Sequence, residues 1–278
     1  MKTETIDLYK YFDVQRPDGA KGYLTTYIIE KYTEFCPDRI RPAMLVIPGG
    51  AYSWCSQREK EPVALYYLSN GYQAFTLEYS VAPVAYPAQL LEGCMAIAYI
   101  RENAKELNVD ENHVAAIGFS AGGHLTGMLA TMYGEKPVLD ALKDKSALCR
   151  PNAVILSYPV ITAGEFEHSG SINNLSGKDP VLRPTLALET RVTEASVPAF
   201  IWTTVDDGGV PCENSFLMAA AYRKKRVPFE LHVFASGIHG LSLANDEVNT
   251  VNEPVAAWKE MSLTWLKNRG FNIKNQRD

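Results

Sequence analysis

Between Val114 and Gly122 the chain passes from an unbroken apolar stretch, VAAIGF, through Gly-Phe-Ser-Ala-Gly and into a helical pattern. A strand without polar alternation must be covered on both faces, which is the situation of strands inside a parallel sheet flanked by helices. The order of elements agrees. Short β-rich runs alternate with longer helical patterns throughout, the signature of a mainly parallel sheet with helices on both sides.

Tyr23 to Glu30 alternates and reads as an early, edge-type strand, and Ala43 to Pro48 and Tyr72 to Glu78 as inner strands. A helix from Glu59 to Ser69, closed by Asn70-Gly71, lies between the inner pair. Pro87 to Leu107 carries Leu90, Leu91, Cys94, Ile97, Ala98, Arg101 and Ala104 at roughly helical spacing, which predicts a long amphipathic helix; Asn108 to His113 then turns the chain. After Val114 to Phe119 follow a helix over Ala121 to Tyr133, strands over Ala153 to Ser157, Ala199 to Thr204 and Phe229 to Phe234, a helix over Glu213 to Arg226, and a final helix over Glu253 to Lys267. Val160 to Ser196 is irregular, broken by Gly164, Gly170, Gly177, Pro180 and Pro184. Excursions of that length often form lids or substrate-binding caps.

The Gly-x-Ser-x-Gly of residues 118–122 falls where a tight strand-to-helix turn lifts a serine hydroxyl at the C-terminal edge of the sheet. A serine is a weak nucleophile at neutral pH and needs a base within reach and a third group to orient that base. Of the five histidines, His239 alone sits in a loop after the last strand, where the backbone can deliver an imidazole to the same edge. The acid belongs on the loop after Ala199 to Thr204, which holds both Asp206 and Asp207. Acyl transfer also needs backbone N–H groups facing the developing oxyanion. Gly50 and Ala51, after the strand ending at Pro48, and Ala121, after the serine, are the candidates. Tyr52 and Trp54 beside that loop, and Tyr158 after a strand, are placed either to line a small acyl pocket and meet a sugar ring, or to pack the core.

With strand, oxyanion loop, elbow, acid and histidine in this order, residues 43–266 resemble the α/β-hydrolase superfamily, and within it the bacterial acetylesterase and acetyl-xylan-esterase-like branch. The most specific stretches are Ile117 to Leu125, Asp207 to Ser215, and Val227 to Gly240. Tyr86-Pro87-Ala88 is also similar to hormone-sensitive-lipase-like esterases, although Pro48 and Ala51 stand where that branch often carries His and a third Gly. The resemblance implies an α/β-hydrolase fold with a small cap around residues 160–196, and it selects Asp207, which stands four positions before the proline of a D-x-x-V-P pattern. It implies a serine esterase acting on short acetyl esters of soluble sugars or oligosaccharides through Ser120, His239 and Asp207, without metal or organic cofactor. The same machinery accepts amides, so an arylformamidase or peptidase is a second reading, and a ligand-binding protein on this fold a third.

The 278 residues are expected to form one domain, since no linker, charge block or repeat divides them. A net charge of −5 gives no electrostatic reason to expect nucleic acid or an anionic membrane, and Arg223 to Arg226 reads as cations at a helix C-terminus. Met1 to Asp13 is polar and lacks the apolar stretch of a secretory signal, and no apolar run is long enough to span a bilayer. Five scattered cysteines, Cys36, Cys55, Cys94, Cys149 and Cys212, read as reduced packing residues, and the expectation is a cytoplasmic enzyme with a small-molecule ester as partner, which can form homo-oligomers.

Overall fold

The computed structural model describes residues 1–32, 34 and 38–275; Cys36 lies outside them. The strands are β1 (Lys2–Asp7), β2 (Tyr23–Ile28), β3 (Arg39–Ile47), β4 (Gln73–Glu78), β5 (Val109–Phe119), β6 (Ala153–Ser157), β7 (Ala199–Thr204), β8 (Phe229–Phe234) and the short β9 (Lys274–Asn275). Their order is β1-β2-β4-β3-β5-β6-β7-β8, with β9 against the start of β3. From β4 to β8 every pair is parallel, whereas β1, β2 and β4 pair antiparallel. This is the α/β-hydrolase arrangement, a mostly parallel sheet flanked by helices.

Period-two geometry divides the core between the two faces of the sheet. Leu45, Phe75, Ala116, Val154, Leu156 and Ile201 face the helices Ala88–Glu102 and Ala121–Thr131. Met44, Val46, Ala115, Ile117, Ile155 and Trp202 face the helices Glu61–Ser69 and Trp258–Lys267. Because the chain leaves β3 toward one face and β5 toward the other, the loops after these neighbouring strands part company and leave a crevice at their C-terminal ends. Ligand sites of open α/β sheets form at such switch points.

Four details depart from the sequence expectations. Residues 1–13, unassigned above, form β1 and the helix Leu8–Phe12, so β2 is not an edge: β1 covers it. Asn108 to His113 is not a free turn, because β5 starts at Val109 and pairs with Arg41 before an irregularity in register. The buried Asp110 carboxylate makes polar strand backbone tolerable there, taking up the Asn112 N–H and Lys274 Nζ. The helix over 87–107 breaks at Asn103 into Ala88–Glu102 and Ala104–Leu107. Its first part is buried nearly all round rather than amphipathic, because Leu8–Phe12, Lys136–Leu142 and the turn Lys143–Leu148 cover its outer side. The final helix similarly divides at Ala257. Cys55, Cys94, Cys149 and Cys212 are free thiols, all buried but the half-buried Cys55, and no helix among the described residues is long and apolar enough to cross a membrane.

One buried carboxylate ties the N-terminal helix to this core. Glu92 accepts from Tyr9 Oη at 2.9 Å and from the backbone N–H of Ser80 at 2.6 Å, and also bonds the Ser80 hydroxyl. Burial is the largest influence on the group and pushes its pKa up to about 7. Between its ordinary value near 4.5 and about 7, the folded chain holds a proton that the unfolded chain has released, so this group lowers stability as pH rises through that window. The full shift amounts to about 3 kcal/mol. Glu92→Gln should therefore gain stability relative to the wild type between pH 5 and pH 8 in urea unfolding; a difference that stays constant across that range would refute the assignment.

Candidate active site

Ser120 sits between β5 and the helix Ala121–Thr131 with φ 53° and ψ −118°, a left-handed conformation that a non-glycine residue adopts only under constraint. The constraint is steric. A Cβ on Gly118 would lie 2.1 Å from the Gly122 carbonyl oxygen, and one on Gly122 would lie 2.3 Å from the carbonyl oxygens of both Ile47 and Pro48. Gly118 therefore lets the first turn of the helix close onto the end of β5, and Gly122 lets it settle directly on the end of β3. That contact sets the serine beside the loop that follows β3.

His239 reaches the serine from the loop after β8. Its Nε2 is 2.8 Å from Ser120 Oγ and its Nδ1 is 2.8 Å from Asp207 Oδ2. Asp207 Oδ1 accepts the backbone N–H groups of Gly209 at 2.8 Å and Val210 at 2.9 Å, and the carboxylate is fully buried. Asp206 points elsewhere, accepting from Ser236 Oγ at 2.7 Å and the Gly237 N–H at 2.5 Å, so of the two aspartates only Asp207 meets the imidazole. The Gly208-Gly209 pair is not slack: a Cβ on Gly209 would lie 2.7 Å from His239 Cγ, so the bare backbone is what lets the ring lie against the acid loop. Three of the other histidines are engaged away from Ser120. His113 bonds Asp110, His232 bonds Glu230, and His124 lies between Tyr52 Oη and the Leu186 carbonyl.

The loop after β3 carries the other half of the site. Gly50, Ala51 and Tyr52 all have positive φ, at 123°, 54° and 56°. The N–H groups of Gly50, Ala51 and Ala121 have no acceptor among the described residues. Three contacts hold this strained loop. Glu59 Oε2 accepts the Gly49 N–H at 2.8 Å, Asn174 Nδ2 donates to the Ala51 carbonyl at 2.8 Å, and Tyr52 Oη lies 2.9 Å from His124 Nδ1. Burial pushes His124 down to about 4, so it is neutral at pH 7; Nε2–H donates to Leu186 and Nδ1 accepts from the tyrosine.

Two aromatic candidates for the pocket are thereby corrected. Tyr52 is fully buried and pins the loop to the helix Ala121–Thr131. Tyr158 is also buried: it donates to Glu59 Oε1 at 2.7 Å, accepts the Ser242 N–H, and packs edge-on against the His239 ring. Both are core residues because their hydroxyls find partners only inward. Trp54, 55% exposed, does line the cavity.

That cavity has a volume of about 200 Å³ and contains Ser120, His239, Gly50 and Ala51. Arg58, Glu59 and His168 also line it, and sequence reasoning missed all three. Arg58 and Glu59 lie in a charged run, QREKEP, with nothing to mark which side chain turns inward. His168 had a weaker signal, since the excursion bearing it leaves β6 at the sheet edge that carries Ser120. A larger cavity of about 430 Å³, lined by Asp206, Ile238 and Asn252 among others, contains none of Ser120, His239 or Asp207, whereas the smaller one holds both the serine and the imidazole. Among the described residues no group of three or more His, Cys, Asp or Glu side chains is placed to hold a metal ion.

Residues 36–222 match the BD-FAE family. The chain is 41% identical over 214 residues to endo-1,4-beta-xylanase B of Butyrivibrio fibrisolvens, a match covering 74% of this chain and 33% of that protein. It is 30% identical over 239 residues to the acetylxylan esterase of Xylanibacter ruminicola, covering 83% of this chain and 46% of that one. The chain thus spans less than half the length of these curated relatives. Among solved structures, the acetyl ester-xyloside bifunctional hydrolase of Caldicellulosiruptor lactoaceticus superposes with a TM-score of 0.81 at 37% identity, covering 96% of this chain and 97% of that one.

A serine hydrogen-bonded to an imidazole in this way should react covalently with a fluorophosphonate. Labelling is expected to vanish in Ser120→Ala, to survive Asp206→Asn within about threefold, and to slow by at least about a hundredfold in Asp207→Asn. Equal effects of the two asparagine substitutions would contradict the separate roles of the aspartates.

Proposed function

Since the chain belongs to the BD-FAE family of α/β-hydrolases, we propose that it is a serine esterase that removes short acyl groups, acetyl above all, from soluble esters of xylose-containing sugars. The observation that carries this reading is the hydrogen-bonded series Asp207, His239, Ser120 opening into a small cavity beside three uncommitted backbone N–H groups. His239 Nε2 takes the Ser120 proton as Oγ attacks the ester carbonyl. Asp207, held by Gly209 and Val210, keeps the proton on Nδ1 and stabilises the imidazolium. The oxyanion meets the N–H groups of Gly50, Ala51 and Ala121, the last at the positive end of a helix. The imidazolium returns its proton to the departing alcohol, and water repeats the sequence on the acyl-serine.

Substrate size and polarity support the same reading. A cavity of about 200 Å³ is small beside the several hundred Å³ of a typical drug-sized pocket, and Ser56, Arg58, Glu59 and His168 set polar groups into its otherwise largely apolar walls. That lining suits a short acyl group and a hydroxylated leaving group better than a fatty ester. The names of the relatives and the structural neighbour converge on xylan, acetylxylan and an acetyl ester joined to xyloside chemistry.

The purified protein should hydrolyse p-nitrophenyl acetate with kcat/KM at least about tenfold above butyrate and further above octanoate, and Ser120→Ala should lose about four orders of magnitude. Release of acetate from acetylated xylo-oligosaccharides should follow the same Ser120 dependence. A wild type as inert as Ser120→Ala on every ester would overturn the esterase reading in favour of amide substrates or ligand binding.

A further inference from the structure

One polar group on the cavity wall has no part in the steps above, yet it is held in a single chemical state. His168 precedes the helix Ser169–Ser176 in the excursion between β6 and β7 and caps it with its side chain. Nδ1 accepts the backbone N–H of Ser171 at 3.2 Å, and the Ser171 hydroxyl lies 2.8 Å from the same nitrogen. A backbone amide can only donate, so Nδ1 carries its lone pair, and in a neutral imidazole the proton must then sit on Nε2. Burial first, and the nearby His239 second, hold the His168 pKa below its ordinary value, which keeps the ring neutral at pH 7. Nε2 has no protein partner among the described residues, and the ring lines the cavity that holds Ser120 and His239.

The direction of the chemistry says what this donor meets. The oxyanion end of the cavity is the loop at Gly50 and Ala51, whereas His239 must hand its proton to the departing alcohol oxygen. An acetyl group has no acceptor besides the carbonyl oxygen that this loop takes up, so an N–H donor on the wall of the same cavity is left to pair with the alcohol portion of the ester. An alkyl or aryl alcohol would leave a half-buried N–H donor unpaired there, and sites built to hydrogen-bond a hydroxyl discriminate strongly against substrates without one. Trp54, exposed on the same cavity, offers a flat apolar face to a sugar ring.

We infer that His168 is a specificity residue, whose Nε2–H donates to a hydroxyl or ring oxygen of the sugar that carries the acetyl group while leaving the reacting ester untouched. The inference rests on the esterase reading above and names the leaving-group class for that site. Attachment to the excursion gives that segment a role beyond covering the sheet, since the helix His168 caps also fastens the oxyanion loop through Asn174.

The test compares p-nitrophenyl acetate, whose leaving group has no sugar hydroxyls, with a monoacetylated methyl xyloside. His168→Asn keeps an acceptor able to cap the helix and removes the Nε2 donor. It should lower kcat/KM for the xyloside ester about tenfold more than that for p-nitrophenyl acetate, mainly through KM. Equal losses on both substrates, or no loss on the xyloside ester, would overturn the inference. If His168→Asn does not fold, His168→Gln carries the comparison: its amide N–H can reach the position of Nε2, so the xyloside ester should stay within about threefold of wild type, and a larger loss on that ester alone counts against the inference. A wild type that turns over p-nitrophenyl acetate but no acetylated sugar refutes the sugar contact and leaves the esterase standing, whereas undiminished nitrophenyl acetate turnover by Ser120→Ala defeats the esterase reading itself.

Discussion

The first turn of the helix Ala121–Thr131 rests on the end of β5 and on the carbonyl oxygens that end β3, and only hydrogens at Gly118 and Gly122, respectively, make those approaches possible. Methyl groups there would stand 2.1 to 2.3 Å from backbone oxygens, separations that no side-chain adjustment relieves. From these contacts follow the left-handed backbone of Ser120, its position at the sheet edge, and its nearness to the loop at Gly50 and Ala51. The topology contributes the other half of the constraint. Neighbouring strands β3 and β5 send their chains to opposite faces, so the space above the contact stays open.

Strain at the sheet edge is held by buried polar groups rather than by apolar packing alone. Ala51 and Tyr52 keep positive φ because Glu59, Asn174 and His124 each bond that loop or its immediate base. Two of these partners are held in turn, Glu59 by Tyr158 and His124 by Leu186, and Tyr158 is held by Ser242. A buried polar network that is complete rigidifies a site, whereas a gap in it would leave a desolvated group without a partner. The excursion around residues 160–196 takes part through Leu186, Asn174 and His168, so it is joined to the oxyanion loop and to the helix after the nucleophile instead of lying over them as a separate cover.

Much of this was legible in the amino-acid order because it is local. An apolar run, two glycines around a serine and the start of a helical pattern specify a buried strand, a sharp turn and a helix, whatever surrounds them. The sequence of oxyanion loop, elbow, acid loop and histidine loop likewise assigns each to the C-terminal end of its strand, and Ser120, Gly50, Ala51, Ala121 and His239 are found there. The residue pattern alone left Asp206 and Asp207 open, since adjacent side chains of one loop differ in direction and not in type.

Pairings between segments far apart in the chain arise only from the folded arrangement. Tyr158 meets Glu59 across a separation of 99 residues, Tyr52 meets His124 across 72, and His239 meets Ser120 across 119. Whether an aromatic residue beside a catalytic loop faces a substrate or the core depends on the partner awaiting its hydroxyl, and that partner is set by strand register and helix packing. The sequence by itself determined the layered sheet, the elbow and the order of the site's loops, because steric fit and hydrophobic periodicity act over a few residues. The inward turn of Tyr52, Tyr158 and Glu59 and the place of His168 on the cavity wall were decided by packing, because hydrogen bonds between distant segments exist only once the sheet has brought them together.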